Sequence, residues 1–143
     1  IAKLTGVKPQ PLRVVVHPTV DSFGRTTGQS WWVPGATNGS LIDLVPVTIL
    51  RQRGQLERTV RHQVAHALVD GALANKPMWV REGAAAYFSD VEVRGPEVRG
   101  VRCPSDLELM RPISAGTHRD AQARSAACFR RGIAGGKRWD AIP

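Results

Sequence analysis

The sequence of 143 residues lacks any apolar run that approaches the ~20 residues of a membrane-spanning helix, which excludes a transmembrane protein. Cysteine is also scarce. Cys103 and Cys128 are too few for a disulfide framework and do not have the Cys-x-x-Cys spacing typical of zinc sites. The hydrophobic fraction of 42% and the charged fraction of 22% are ordinary for a globular protein. We therefore expect one compact domain that spans residues 1–143.

Acidic residues are few relative to basic ones. There are 12 Asp and Glu against 20 Lys and Arg, which gives a formal net charge of +8. Such an excess permits binding to nucleic acids or to anionic surfaces. The basic residues are spread along the chain, however, and nowhere form a run of five. We therefore do not expect a nucleic-acid-binding protein.

The first fifty residues have the pattern of short strands joined by turns. Apolar and β-branched runs predict strands over 12–16, 30–33 and 40–44, and residues 21–28 have the composition of a turn. Asn38-Gly39, just before the third run, is a strong signal for a β-hairpin. We therefore expect a small, mostly antiparallel N-terminal sheet.

Helical patterns dominate the rest of the chain. An apolar residue recurs at every fourth position over 54–74, which predicts a helix with an apolar stripe that faces the core. Two further helices are predicted over 79–90 and 118–133, with a loop over 91–104. The predicted fold class is α+β, with the small sheet packed on these helices. The stripe consists of Leu56, Val60, Val64, Leu68 and Ala72.

Two histidines on the first predicted helix are placed to meet one ion. His62 and His66 are four residues apart, so their side chains lie one turn apart on the same face. The next predicted helix carries Glu82, and the stretch 67–81 is long enough for the chain to return antiparallel. Glycine and alanine at 83–86 would let the two helices pack closely. Two imidazoles and one carboxylate form the usual ligand set of a catalytic zinc site with one open position.

The residues around these ligands resemble the motif of the gluzincin metallopeptidases, in particular their small peptidase-MA-like members, the minigluzincins. That motif is His-Glu-x-x-His followed on a second helix by Trp-x-x-Glu-Gly-x-Ala. The resemblance implies a zinc-dependent peptidase in which His62, His66 and Glu82 bind Zn²⁺ and a peptide or protein is the substrate. The matching residues lie within about 59–90 and are His62, Val64, Ala65, His66, Trp79, Arg81, Glu82, Gly83, Ala84, Tyr87 and Phe88.

Two departures from the family pattern bear on activity. Gln63 stands where the family has the glutamate that takes a proton from the attacking water, and an amide cannot take that proton. In the last helix, where the resemblance is looser, Gln122 stands where the family has a tyrosine that stabilises the oxyanion. The chain is therefore expected to bind zinc but to be inactive or weakly active. Gln63 is either an engineered isosteric exchange or the mark of a natural pseudopeptidase that binds peptides or anions.

The resemblance also implies roles for residues around the ligands. Because gluzincin-like domains bind substrate along an edge strand, one of Trp31 and Trp32 is expected to border the substrate cleft while the other faces the core. Asp70 lies one turn beyond His66 and either orients that imidazole or is a polar residue at the helix end. Arg81 either pairs with a carboxylate near the site or is solvated. His17 and His118 are expected to be structural.

Compartment and partners follow from the same resemblance. Domains of this kind are mostly exported, which favours a secreted or periplasmic location and a Cys103–Cys128 disulfide over two buried free thiols. The chain begins Ile1-Ala2-Lys3 with no signal peptide in view, as expected of a mature fragment. We expect a monomer. An anion-binding domain without metal is the alternative that the arginine-rich composition leaves open.

Overall fold

A computed structural model describes residues 1–89 and 100–143 and confirms the α+β class. The predicted end of the second helix at Asp90 and most of the predicted loop, residues 91–99, lie outside the described residues. Within the described residues, we find no helix with the length and apolar character that crossing a bilayer requires. In chain order the elements are α1 (Ala2–Thr5), β1 (Arg13–Val16), α2 (Val20–Thr27), β2 (Gly35–Asn38), β3 (Leu41–Leu44), α3 (Val47–Gln52), α4 (Leu56–Val69), α5 (Met78–Phe88), α6 (Asp106–Met110), α7 (Ala115–Ala134) and a 3₁₀ helix (Trp139–Ala141).

Among the residues that the structure describes, the sheet has three strands in the order β1-β3-β2. β2 and β3 form the predicted hairpin, whose turn has Gly39 at a φ of 60°, a left-handed conformation that suits glycine. β1 runs parallel to β3, with Val14 opposite Ile42. The expectation of a mostly antiparallel sheet is therefore wrong for one of the two strand pairs, because β3 rather than β2 lies next to β1.

The segment 21–28 was expected to be a turn, and this prediction is wrong. It lies almost entirely in α2, which begins where the Thr19 hydroxyl accepts a hydrogen bond from the Ser22 amide. The helix ends at Gly28, whose φ of 72° is the usual left-handed helix end. Phe23 is its one fully buried residue, so the helix has no apolar repeat that the sequence could reveal.

The strand predicted over 30–33 is also wrong. These residues form a turn in which the Val33 amide donates to the Ser30 carbonyl. The second strand begins only after Pro34, at Gly35. The aromatic pair Trp31 and Trp32, which suggested a strand by composition, therefore lies in the loop that leads into β2.

The core has two parts, with α4 between them. One cluster is formed by the end of α4 with α5 and α7, and the other by the sheet with α2 and α3. The helical cluster contains Val69, Leu73, Val80, Ala84, Phe88, Phe129 and Ile142. The sheet cluster contains Phe23, Val33, Ile42, Leu44, Val45 and Leu50.

The predicted apolar stripe is not the buried face of α4. Val60 is 38% exposed, Val64 packs on the sheet cluster, and Leu68 packs on the helical cluster. Neighbouring elements cover α4 on more than one side, so its polar face is buried as well. The buried residues of α4 are Thr59, Gln63, Ala65, His66 and Val69.

Gly83 serves a different helix pair from the one expected. A Cβ placed on it would lie 2.5 Å from Phe129 Cβ and 2.6 Å from the Ser125 carbonyl oxygen, both on α7. The predicted role of Gly83 in α4–α5 packing is therefore wrong, and the residue instead permits the close approach of α5 and α7.

The predicted disulfide is confirmed. Cys103 and Cys128 are bonded, with their Cα atoms 5.8 Å apart, and the bond joins the segment before α6 to the middle of α7. This cross-link ties α7, the helix that packs on α5, to the segment before α6. A disulfide of this kind persists in oxidising compartments.

Candidate metal centre

Two helices bring the three predicted ligands together. His62 and His66 lie on successive turns of α4, and Glu82 lies on α5, which begins after Pro77. All three side chains converge, and their ligand atoms lie within 4.8 Å of one another. His66 is buried, and His62 and Glu82 are partly buried, with side chains 18% and 22% exposed.

The distances between the possible ligand atoms are compatible with a metal site. His62 Nε2 lies 3.1 Å from His66 Nε2, while Glu82 Oε2 is 3.5 Å from His62 Nε2 and Glu82 Oε1 is 3.4 Å from His66 Nε2. Tetrahedral ligands at zinc-like distances of ~2.0–2.2 Å are separated by about 3.3–3.6 Å, close to these three values. The residues therefore fit a divalent ion held by His62, His66 and Glu82.

Asp70 holds the His66 ring in the orientation that a ligand needs. Its Oδ1 and Oδ2 lie 2.9 Å and 3.1 Å from His66 Nδ1. When Nδ1–H donates to this carboxylate, the neutral imidazole directs the lone pair of Nε2 toward His62 and Glu82. Asp70 was expected either to orient the His66 imidazole or to be a polar residue at the helix end, and this geometry favours the first role.

The charged forms of His66 and Glu82 stabilise each other. Burial opposes the charged form of His66, but Glu82 and Asp70 outweigh it and raise the pKa of His66 to about 10. Burial likewise opposes the charged form of Glu82, but the two histidines hold the pKa of this carboxyl well below its usual range. Without metal, His66 therefore carries a proton at neutral pH, and a metal ion replaces that proton when it binds.

The cluster lies in a cleft with a volume of about 1010 Å³. Gln63 also lines this cleft and is buried, next in sequence to a ligand. The Thr37 hydroxyl on β2 lies 2.8 Å from Gln63 Oε1 and 3.1 Å from the Gln63 carbonyl oxygen, and it donates to this residue. The side chain at position 63 is thus held between the metal cluster and the edge strand of the sheet.

The remaining predicted residues lie along the same cleft. Gln122 lines it from α7, and Trp31 and Trp32 line it from the loop before β2. Trp31 is 62% exposed, whereas Trp32 packs on the sheet cluster, as expected of a pair in which one ring faces the core. Arg81 lines the cleft too, and within the described residues it forms no ion pair with Asp70 or Glu82.

The sequence analysis placed neither Thr37 nor His118 in the cleft, and it gave His118 a structural role. His118 lies on α7 one turn before Gln122 and is partly buried in the cleft wall. Burial lowers the pKa of His118, and although Glu82 opposes this, His62 and Arg119 reinforce it. Its position four residues before Gln122 places the two side chains on the same face of a helix, and this spacing could have indicated that His118 lies in the cleft. Thr37 offered no such signal, because its contact with position 63 is purely tertiary.

The structural role expected for His17 agrees with its surroundings. Its Nε2 lies 2.7 Å from Asp43 Oδ1 and its Nδ1 lies 3.1 Å from Ser22 Oγ. His17 and Asp43 are both buried, and neither lines the cleft. These contacts link β1, β3 and α2 behind the site.

The hydrogen bond from His66 predicts a loss of metal affinity in Asp70→Asn. An amide at this position carries no charge and holds the imidazole less firmly, so zinc should bind about 10–100-fold more weakly. Competition with a chromophoric chelator measures the change. Asp120→Asn, at an exposed residue of α7 paired with Arg124, is the matched control and should bind zinc normally. Equal affinities for both variants and the parent chain would contradict this role of Asp70.

Comparisons with known proteins give no family assignment. No family model matches the chain, and neither a curated protein nor a solved structure is significantly similar to it.

Proposed function

We propose that the chain is a zinc-binding domain of the gluzincin metallopeptidase type, with peptide hydrolysis that is weak or absent because Gln63 occupies the position of the general base. The observation that carries the proposal is the convergence of His62, His66 and Glu82 at tetrahedral spacing inside a large cleft. Nitrogen and carboxylate ligands in a set of three, with room for a further ligand, suit catalytic zinc.

The position of the sheet supports a peptide as the substrate. β2 lies at the edge of the three-stranded sheet, and its residues Gly35, Ala36 and Thr37 line the cleft. An extended peptide can add to such an edge through main-chain hydrogen bonds. This placement would bring the peptide backbone alongside the metal cluster and position 63.

The residues of this chain would share the reaction as follows. Zn²⁺ held by His62, His66 and Glu82 supplies a Lewis acid that polarises a carbonyl and makes water more acidic. A glutamate at position 63 would take the proton of the attacking water and deliver it to the leaving amine. Gln63 can orient water through its amide but cannot accept that proton. Gln122, which lines the same cleft from α7, could donate a hydrogen bond to the oxyanion.

A second candidate function is a natural pseudopeptidase that binds peptides or anions. Two observations favour it: amides occupy both position 63 and position 122, and arginines from several elements line the cleft. In this case Gln63 is the native residue, and the metal stabilises the cleft rather than taking part in hydrolysis. In either case we propose an exported protein, as the disulfide suggests.

Zinc-dependent cleavage by the Gln63→Glu variant separates the two candidates. The variant is loaded with zinc and given an unstructured, internally quenched peptide. Cleavage that stops with EDTA, returns with zinc and is absent when His66→Ala is added supports the peptidase proposal. No cleavage at full zinc occupancy would leave the pseudopeptidase as the better proposal.

A further inference from the structure

Three buried nitrogen atoms have no hydrogen-bond partner in the part of the chain that the structure describes. They are Trp32 Nε1, Arg81 Nε and His118 Nδ1. All three residues line the cleft that holds the cluster, and they come from the loop before β2, from α5 and from α7. Buried polar groups are nearly always paired in folded proteins, and the Trp32 and Arg81 nitrogens are N–H donors that a ligand with hydrogen-bond acceptors could satisfy.

The charges of the residues that line the cleft also favour a ligand with negatively charged acceptors. Its acidic lining residues, Asp70 and Glu82, are both bound to the histidines of the cluster. The arginines of the cleft wall form no ion pair with any described residue. The wall therefore carries positive charge that the described part of the protein does not neutralise. These arginines are Arg53, Arg58, Arg81 and Arg119.

We propose that the cleft selects peptides with acidic side chains, and that Arg81 binds the carboxylate. The inference rests on the proposed function, because it names the kind of peptide that the site takes. Arg81 is the arginine next to the ligand Glu82, and its Nε–H is buried and unpaired. A guanidinium presents Nε–H and Nη–H as a fork that matches the two oxygens of a carboxylate.

The distribution of arginines favours acidic side chains over a single terminal carboxylate. Arg53 follows α3, Arg58 lies on α4, Arg81 lies on α5, and Arg119 lies on α7. One C-terminal carboxylate would meet one of these, whereas acidic residues at several positions of an extended peptide would meet more. Charge on several walls also steers acidic peptides into the cleft.

The test is a comparison of peptide affinities, which does not depend on turnover. Two end-capped, fluorescent peptides differ only in one central residue, Glu or Gln, and a third carries Gln with a free C-terminus. Binding is measured by anisotropy in the zinc-loaded protein and again after EDTA treatment, since a carboxylate could otherwise bind the metal. We expect the Glu peptide to bind about tenfold more tightly than the Gln peptide in both forms.

Substitutions of Arg81 test whether this residue causes the tighter binding of the Glu peptide. Arg81→Gln should reduce it to less than about threefold, and Arg81→Lys should retain part of it because the charge remains without the fork. Arg130→Gln removes the same charge from an exposed position of α7 outside the cleft and should leave the preference unchanged. Circular dichroism shows which variants fold. If Arg81→Gln does not fold, the peptide preference of Arg81→Lys tests the role of Arg81 instead.

The outcomes separate this inference from the proposed function. Equal binding of the Glu and Gln peptides, with zinc-dependent cleavage of both by Gln63→Glu, would overturn the inference and keep the peptidase. A preference for Glu that needs Arg81, without any cleavage, would keep the inference and count against the peptidase. Binding of the free C-terminus as tight as that of the Glu peptide would overturn the assignment to acidic side chains.

Discussion

Gln63→Glu is expected to raise the rate of peptide hydrolysis by the zinc-loaded protein by about 10²–10⁴-fold, the usual contribution of a positioned general base. Glutamine and glutamate have the same shape, so the exchange leaves the buried packing of α4 intact. The Thr37 hydroxyl, 2.8 Å from Gln63 Oε1, can donate to a carboxylate as it does to the amide. The carboxylate introduced at position 63 is therefore held in one orientation beside His62 and His66.

The measurement is kcat/KM on an unstructured peptide at matched zinc occupancy. Gln52→Glu, the same exchange at an exposed position of α3, is the control and should give the rate of the parent chain. A gain that persists in EDTA would contradict a metal-dependent reaction. If Gln63→Glu gives no gain but the double variant with Gln122→Tyr does, the larger defect lies at position 122.

Gly83→Ala is expected to lower the free energy of unfolding by about 2–3 kcal/mol, although alanine favours helix. The added Cβ would lie 2.5 Å from Phe129 Cβ and 2.6 Å from the Ser125 carbonyl oxygen, so α5 and α7 must move apart. A backbone oxygen and a Cβ cannot rotate away as the end of a long side chain can. Because Gly83 follows Glu82, the shift should also weaken zinc binding.

Urea unfolding in EDTA isolates the packing effect from metal binding. Gly116→Ala is the matched control, since it lies in the first turn of α7 and its Cβ would come no closer than 3.7 Å to the Ser114 hydroxyl. We expect that variant to be as stable as the parent chain or slightly more stable. Equal stability of Gly83→Ala and the parent chain would show that α5 and α7 are less tightly packed than the structure indicates.

The convergence of His62, His66 and Glu82 could be predicted from the sequence because their arrangement is local. A four-residue spacing on a helix places His62 and His66 on one face, and a short connection returns the chain at Glu82. The three longest helices, α4, α5 and α7, could likewise be predicted from their own periodicity and terminal residues. The Cys103–Cys128 disulfide was expected because the resemblance implies an exported protein.

The parts that could not be predicted depend on contacts between distant segments. The parallel pairing of β1 with β3 is decided by which strand fills the middle of the sheet, and no single segment encodes that choice. The helix α2 depends on the Thr19 cap and on burial of Phe23 rather than on an apolar repeat. Neither the contact of Thr37 with Gln63 nor that of Gly83 with α7 has a local signal.

Zinc K-edge X-ray absorption on protein loaded with one equivalent of zinc tests the metal centre most directly. We expect a four-coordinate ion with two imidazole nitrogens and carboxylate or water oxygen at about 2.0–2.1 Å, and the loss of one imidazole in His66→Ala. A shell of oxygen atoms without imidazole scattering, or one that His66→Ala leaves unchanged, would contradict the joint binding of one ion by His62, His66 and Glu82.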